Sequence, residues 1–526
     1  MYIWRAALLV GSALTLGAVL SVGSVQAQDK DTQPLSAIDW LSQSVELPAS
    51  ATVPRVFDEP PVAETAETPQ ITMTPLDAPS PDSAGLLAPA VTGLPRSLWS
   101  ASDTQTLTAL IAAERIETLP AIQELMVTLM LAEADPPMGA GPDGAMFLAR
   151  VDKLLDLGAL EPAQALLEEA GPDTPELFRR WFDVTLLTGS EDTACALLRQ
   201  RPTIVTTYPA RIFCTARNDD WAAAALTLNT ARVLGDVTDE EDALLSRFLD
   251  PELYSEDPPL PPPSRTSPLE FRMRGAIGEG LTTAGLPLAF SHADLRVDAP
   301  WRSQIEAAER LARNLAISEN TLFGIYRAQT PSASGGVWDR ATAVQAFDAA
   351  LRAGDTARIG QTLPVVWAAM QSIHIEVAFA RYYADDLAPL AQSGAFTGTT
   401  GALVFRIGLL APKYEAVALA YVAPTAEERF LIAIARGDVT GIQTTNPAQL
   451  AVLAAFAGAK VPDPMAGQIA KGALGEALLR GISLFNQSLS GDLGALTDAL
   501  ALLRSVGMED VARRAALQYL LLDRQT

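Results

Sequence analysis

The chain reads as an all-α protein: a degenerate helical-hairpin repeat, α-solenoid-like, in two bodies preceded by a disordered Pro-rich N-terminal segment. Three observations carry this reading. Apolar residues recur at i, i+3, i+4 and i+7 through most of the sequence after residue 97, and no period-two alternation competes with them. Helix-start residues and glycines punctuate that pattern at short intervals. Two Pro-dense stretches, which neither helix nor sheet accommodates, divide it.

With 526 residues the chain has ample length for a sizeable core, and the soft prior is about two to four domains. Hydrophobic residues make up 49% and charged residues 19%, a globular balance. Lys and Arg number 38 against 62 Asp and Glu, a formal net charge of −24 that repels phosphate backbones, so no nucleic-acid partner is expected. Two His and two Cys exclude zinc fingers, Cys-rich scaffolds and mechanisms that need a His cluster.

Residues 1–27 have the form of a signal peptide. Arg5 supplies the basic region, Ala6 to Val22 the apolar stretch, and Val25-Gln26-Ala27 the small-residue cleavage site. Cleavage before Gln28 leaves no integral membrane segment and implies export, with the periplasm as the expected compartment. Residues 28–96 are dense in Pro, Ser and Thr and read as a tether. Within it, Ile38, Trp40, Leu41 and Val45 form a short amphipathic island, a candidate docking segment for a partner or for the protein's own body.

From 97 to 256 the helical stripes are clear. Phe147, Val151, Leu154 and Leu155 share one face; Ala163, Leu166, Leu167 and Ala170 share the next. Thr238 and Glu241 have capping-box spacing, and Thr174-Pro175 places a cap before a first-turn proline. The run Pro258-Pro259-Leu260-Pro261-Pro262-Pro263 lies in a linker, 257–267, and a second helical body covers 268–526. Its stripes include Trp301, Ile305, Ala308 and Leu311, and then Leu493, Leu496, Leu500 and Leu503.

Export also bears on the cysteines, because oxidising compartments favour pairing. Cys195 and Cys214 fall in adjacent helical stretches on either side of Pro202, roughly equidistant from the turn, so a Cys195–Cys214 disulfide is expected. The alternative is two buried thiols packing as small hydrophobes.

The turns Gly158-Ala159-Leu160, Gly189-Ser190-Glu191, Gly354-Asp355-Thr356 and Gly491-Asp492-Leu493 each end one helix on Gly and open another. This pattern resembles tetratricopeptide-like helix hairpins. Gly158 and Gly189 stand near the repeat length of about 34 residues, whereas Gly354 and Gly437 do not, and the family's Trp, Tyr and Pro positions are not filled in register. The abundant alanine is similar to that of exported bacterial proteins labelled antifreeze glycopeptide polyprotein. That resemblance brings no catalytic motif, and the chain has no Ala-Ala-Thr array from which ice binding would follow.

Catalytic motifs fare poorly. Gly139, Gly141 and Gly144 match dinucleotide-binding spacing but follow Asp135-Pro136-Pro137 rather than a strand, which makes them a loop. His292 and His374 sit in no metal-binding pattern, and no Gly-x-Ser-x-Gly elbow or Ser-x-x-Lys occurs. Of the paired acids, Glu240-Glu241 and Glu427-Glu428 belong to capping boxes with Thr238 and Thr425, and no acid stands out as held in an apolar setting. No cofactor and no metal are expected.

One loop stands out. Ser332, Ser334, Gly335, Gly336, Trp338, Asp339 and Arg340 bring hydroxyls, exposed amides, a ring and a cation together before a helix, a candidate site for a small ligand or peptide. The alternative is an ordinary Gly-containing loop with Trp338 packed inward. The function expected from all this is a non-enzymatic periplasmic scaffold that binds another periplasmic or envelope protein, or an envelope polymer. The competing expectation is the helical superstructure of a cell-wall hydrolase such as a lytic transglycosylase, although no active-site Glu in a lysozyme-like segment is visible.

Overall fold

The computed structural model describes residues 80–522, apart from 206, together with Arg524. The predicted signal peptide and the docking segment Ile38, Trp40, Leu41 and Val45 lie outside the described residues. Those described are helical throughout, with no strand beyond two isolated bridges, Leu87 with Ala132 and Asp103 with Met138.

Consecutive helices pack on one another, as a hairpin array requires. Ala145–Asp156, Leu160–Ala170, Pro175–Thr188, Glu191–Gln200, Tyr208–Arg217, Trp221–Leu234 and Asp239–Leu249 follow in this way. Their starts obey the local rules. The Thr174 hydroxyl accepts from the Leu177 N–H, and Thr238 and Glu241 form the reciprocal capping box, as do Thr425 and Glu428 farther on. Cys195 and Cys214 are disulfide-bonded with Cα atoms 5.0 Å apart, joining Glu191–Gln200 to Tyr208–Arg217.

Three features depart from the sequence reading. The first is the start of the folded body. Residues 80–96, assigned to the tether, pack against the helices. Asp82 is buried and its carboxylate accepts from the Phe147 N–H at 2.7 Å in the first turn of Ala145–Asp156. The buried Arg150 guanidinium donates to the carbonyls of Ala84, Met130 and Ala132 at 2.7–3.0 Å. Gly85 lies so close to the backbone of Ala132 and Glu133 that a Cβ there would collide with main-chain atoms. Composition indicated a tether because Arg150, which holds the segment, lies more than sixty positions away.

The second is the Pro-rich run, which is not a boundary between bodies. Arg247 donates to the Pro258 carbonyl at 2.9 Å, Arg274 to that of Pro261 at 2.8 Å, and the Leu260 N–H donates to Glu279 at 2.8 Å. An extended proline segment leaves its carbonyls without internal partners, and arginines supply them. Beyond it, Pro268–Ala276 packs on Asp239–Leu249 and on Pro175–Thr188, and Arg272 pairs with Glu191 at 3.0 Å. The His292 ring meets the Gly158 carbonyl at 2.7 Å. The described residues belong to one compact unit, with a core that runs from Leu94 to Leu522.

The third is closure. An open solenoid would leave its terminal helices apart. Here Leu474–Ser488 packs on Thr104–Ala113 and Pro120–Leu131, and Glu509–Leu521 packs along Pro120–Leu131. Trp99, fully buried, lies over Gly475, where any side chain would strike its ring. The array returns to its own beginning.

Candidate functional site

The loop singled out in the sequence begins the helix Val337–Arg352, with Gly335 and Gly336 both at positive φ, which favours glycine. Its polar groups are used internally. The Asp339 carboxylate, in the first turn of the helix, accepts from the Gly335 N–H at 2.9 Å, one residue before the N-cap Gly336. Trp338 packs against Trp301, ring centroids 5.2 Å apart. Arg340 forms a two-pronged pair with the buried Glu309, both bonds 2.7 Å, and the Tyr326 hydroxyl donates to the same carboxylate at 2.7 Å. Ser332 and Ser334 remain exposed.

Buried charge is concentrated on Ala145–Asp156. Asp152 takes a two-pronged contact from Arg180, and Lys153 pairs with Asp156 at 3.4 Å while donating to the Glu114 carbonyl at 2.9 Å. The Glu114 side chain is itself buried, with one hydrogen-bond donor, the Asn486 amide at 3.2 Å. Burial raises its carboxyl from 4.5 to about 7, against the opposing pull of Lys153 and Asn486. The sequence reading missed this acid, yet a signal existed: Leu107, Ile111 and Glu114 stand at i, i+4 and i+7, the spacing of the buried face.

Several recesses mark the surface. A cleft of about 740 Å³ is lined by polar side chains, Gln443, Thr445, Asn446 and Gln449 among them, with the single carboxylate of Glu427. A recess of about 470 Å³ lies beside the disulfide, bordered by Cys195, Cys214, Arg199, Arg211, Asp220 and Thr227. The last two flank or belong to Trp221–Leu234, a helix with several exposed apolar residues.

Trp221–Leu234 carries no charge before Arg232. It buries Ala224, Leu228 and Ala231 on one face. At 100° per residue, Ala222, Leu226 and Val233 fall on the opposite face. They are exposed, Leu226 at 68% and Val233 at 87%. Trp221, half exposed, rests its ring 5.9 Å from Phe248 at the start of the same helix. A helix at a protein surface normally turns charge outward, and one that is apolar all round is normally covered. This one is covered on one face and turns Ala222, Leu226 and Val233 outward on the other, with Asn229 as the polar residue among them.

Among the described residues no group of His, Cys, Asp and Glu is arranged to hold a metal ion, and no helix is long and apolar enough to cross a membrane. Comparison of the chain with protein families, with curated proteins and with solved structures finds no match.

Proposed function

We propose that this protein is a non-enzymatic scaffold of the cell envelope that binds another protein through the outward face of Trp221–Leu234. The observation that carries the reading is the exposure of Leu226 and Val233 on the uncharged outward face of that helix, opposite the buried Ala224, Leu228 and Ala231. Burying Leu226 and Val233 against a partner would contribute roughly 1.5–3 kcal/mol per side chain, enough to make them anchors of an interface. Ala222 and Ala225 allow a close approach, which suits a partner helix laid along the face. The signal-like N-terminus supports the periplasm as the place of encounter.

A cell-wall hydrolase would need a carboxylic acid facing a cleft. Glu114 has the raised titration such an acid requires but lines none of the recesses. Acids that do border them have structural partners: Glu427 pairs with Arg406 at 3.1 Å, Asp220 accepts from the Ala223 N–H at 3.0 Å, and Glu270, whose carboxyl burial raises, pairs with Arg274 at 3.0 Å. The scaffold reading is therefore preferred. Its test is affinity purification from envelope extract with the wild-type chain and with Leu226→Glu/Val233→Glu. A protein recovered with the first and lost with the second supports the interface. Recovery of the same proteins by both variants, or cell-wall hydrolysis by the purified chain, would overturn it.

A further inference from the structure

The contact between the beginning and end of the helical array is held by a small number of polar bonds. Asn486, on Leu474–Ser488, is the link between them. Its carbonyl oxygen accepts from the Thr118 hydroxyl at 2.5 Å, and its amide donates to the Glu114 carboxyl at 3.2 Å. The neighbouring bonds tie Gln518 to Ala121 and Arg514 to Glu124. Glu114 is the buried carboxyl at this seam that has no arginine partner among the bonds and ion pairs of the described residues; Glu117, in the same segment, is exposed. Glu124 is paired with Arg381 and Arg514, and Glu476 with Arg480 on the helix that presents Asn486. The charged group facing Glu114 from Ala145–Asp156 is Lys153, whose ammonium is shared with the Glu114 backbone carbonyl and with Asp156. Leu474–Ser488 offers it only a neutral amide, and the polar groups that Glu509–Leu521 brings to the seam have other partners: Gln518 bonds Ala121, Arg514 pairs with Glu124, and the Tyr519 hydroxyl donates to the Ser488 carbonyl.

A carboxyl in this position is easily kept when neutral and costly when charged, because the seam supplies one amide donor in place of the water it excludes. We propose that Glu114 is a proton-operated latch on the closure of the array: with the proton on, the first and last helices stay together, and when the proton leaves, the seam between them loosens. The direction follows from linkage. The closed seam holds the Glu114 proton up to about pH 7, whereas an opened, hydrated Glu114 returns toward its ordinary 4.5, so the closed form binds the proton more tightly. Between those values the opening equilibrium grows by up to about tenfold per pH unit, and above about 7 it levels off. The device would let the medium around an exported chain set how firmly the array closes.

Hydrogen exchange on the full exported chain tests it, with protection corrected for the intrinsic pH dependence of exchange. The probe is the Ala121 N–H, which donates to Gln518 across the seam, and the control is the Ala353 N–H, at the end of Val337–Arg352. From pH 5.5 to 7.5 the wild-type Ala121 opening constant is expected to rise roughly twentyfold while that of Ala353 changes far less. Glu114→Gln, which keeps the shape and cannot ionise, should abolish the rise. The proposal is overturned if wild-type protection at Ala121 does not vary with pH, if Glu114→Gln keeps the variation, or if Ala353 shifts as much as Ala121.

Discussion

The Gln518 side-chain carbonyl accepts a hydrogen bond at 2.8 Å from the backbone N–H of Ala121, a residue 397 positions earlier in the chain. Ala121 is the second residue of Pro120–Leu131, so its N–H belongs to the first turn and has no acceptor within the helix. The N-cap, Leu119, has no side chain that could serve. The last helix of the described array therefore caps one of the first. Replacing Gln518 with Leu would leave a buried, unpaired N–H and should destabilise the fold by about 1–3 kcal/mol, read as a lower urea midpoint with unchanged slope. An unchanged midpoint would mean that this bond contributes nothing to closure.

The disulfide ties two neighbouring helices beside the proposed docking helix. Cys195 and Cys214 are separated by 19 positions, and cross-linking a loop of that size stabilises by about 3 kcal/mol in the chain-entropy model. Cys195→Ser with Cys214→Ser should lose that amount in denaturant unfolding. The same loss should appear when the wild-type protein is unfolded under reducing conditions, and a reductant-insensitive wild type would contradict the pairing.

Arg340 looked like a ligand-binding residue in the sequence and is bonded to buried Glu309 in the structure. Arg340→Met would strand that carboxylate with only the Tyr326 hydroxyl as donor, a change that typically costs about 3–5 kcal/mol. Arg340→Met together with Glu309→Met should recover much of the loss. Wild-type stability in the single variant would free Arg340 for a binding role.

His292 contributes a pH dependence of its own. Burial holds its imidazole below the usual value of 6.5, although the Gly158 carbonyl favours the charged form. The unfolded chain thus takes up this proton more readily than the folded one, and the stability linked to His292, present above pH 6.5, is lost on acidification below it. His292→Gln, which keeps a donor for Gly158, should lose less stability than wild type between pH 7 and pH 5. The opposite ordering would show that the ring is charged in the folded protein. This trend runs against that of Glu114, so the two must be separated by single variants.

The helical character was legible residue by residue. Ala163, Leu166 and Leu167 are buried along one helix face with Ala170 half-buried at its end, and Thr238 with Glu241 and Thr425 with Glu428 cap the helices that their spacing announced. The cysteine pair was legible too, because helix length and one proline decide which residues face each other across a short turn. What the candidate loop does was only half legible. Its glycines and the helix start after them are local, whereas the occupants of Trp338 and Arg340, namely Trp301 and Glu309, arrive from an earlier helix.

Local periodicity, capping and turn chemistry thus settle that the described residues are helical and where several of the helices begin, since those signals act within a few residues. Long-range packing alone decides the rest. Arg150 converts residues 80–87 from an apparent tether into part of the body, and Arg247 and Arg274 turn a proline run into a clamped strap. Asn486 and Gln518 close what looked like an open array. In each case a side chain satisfies backbone or carboxyl groups far away in the sequence, and nothing in the local spacing of either partner identifies the other.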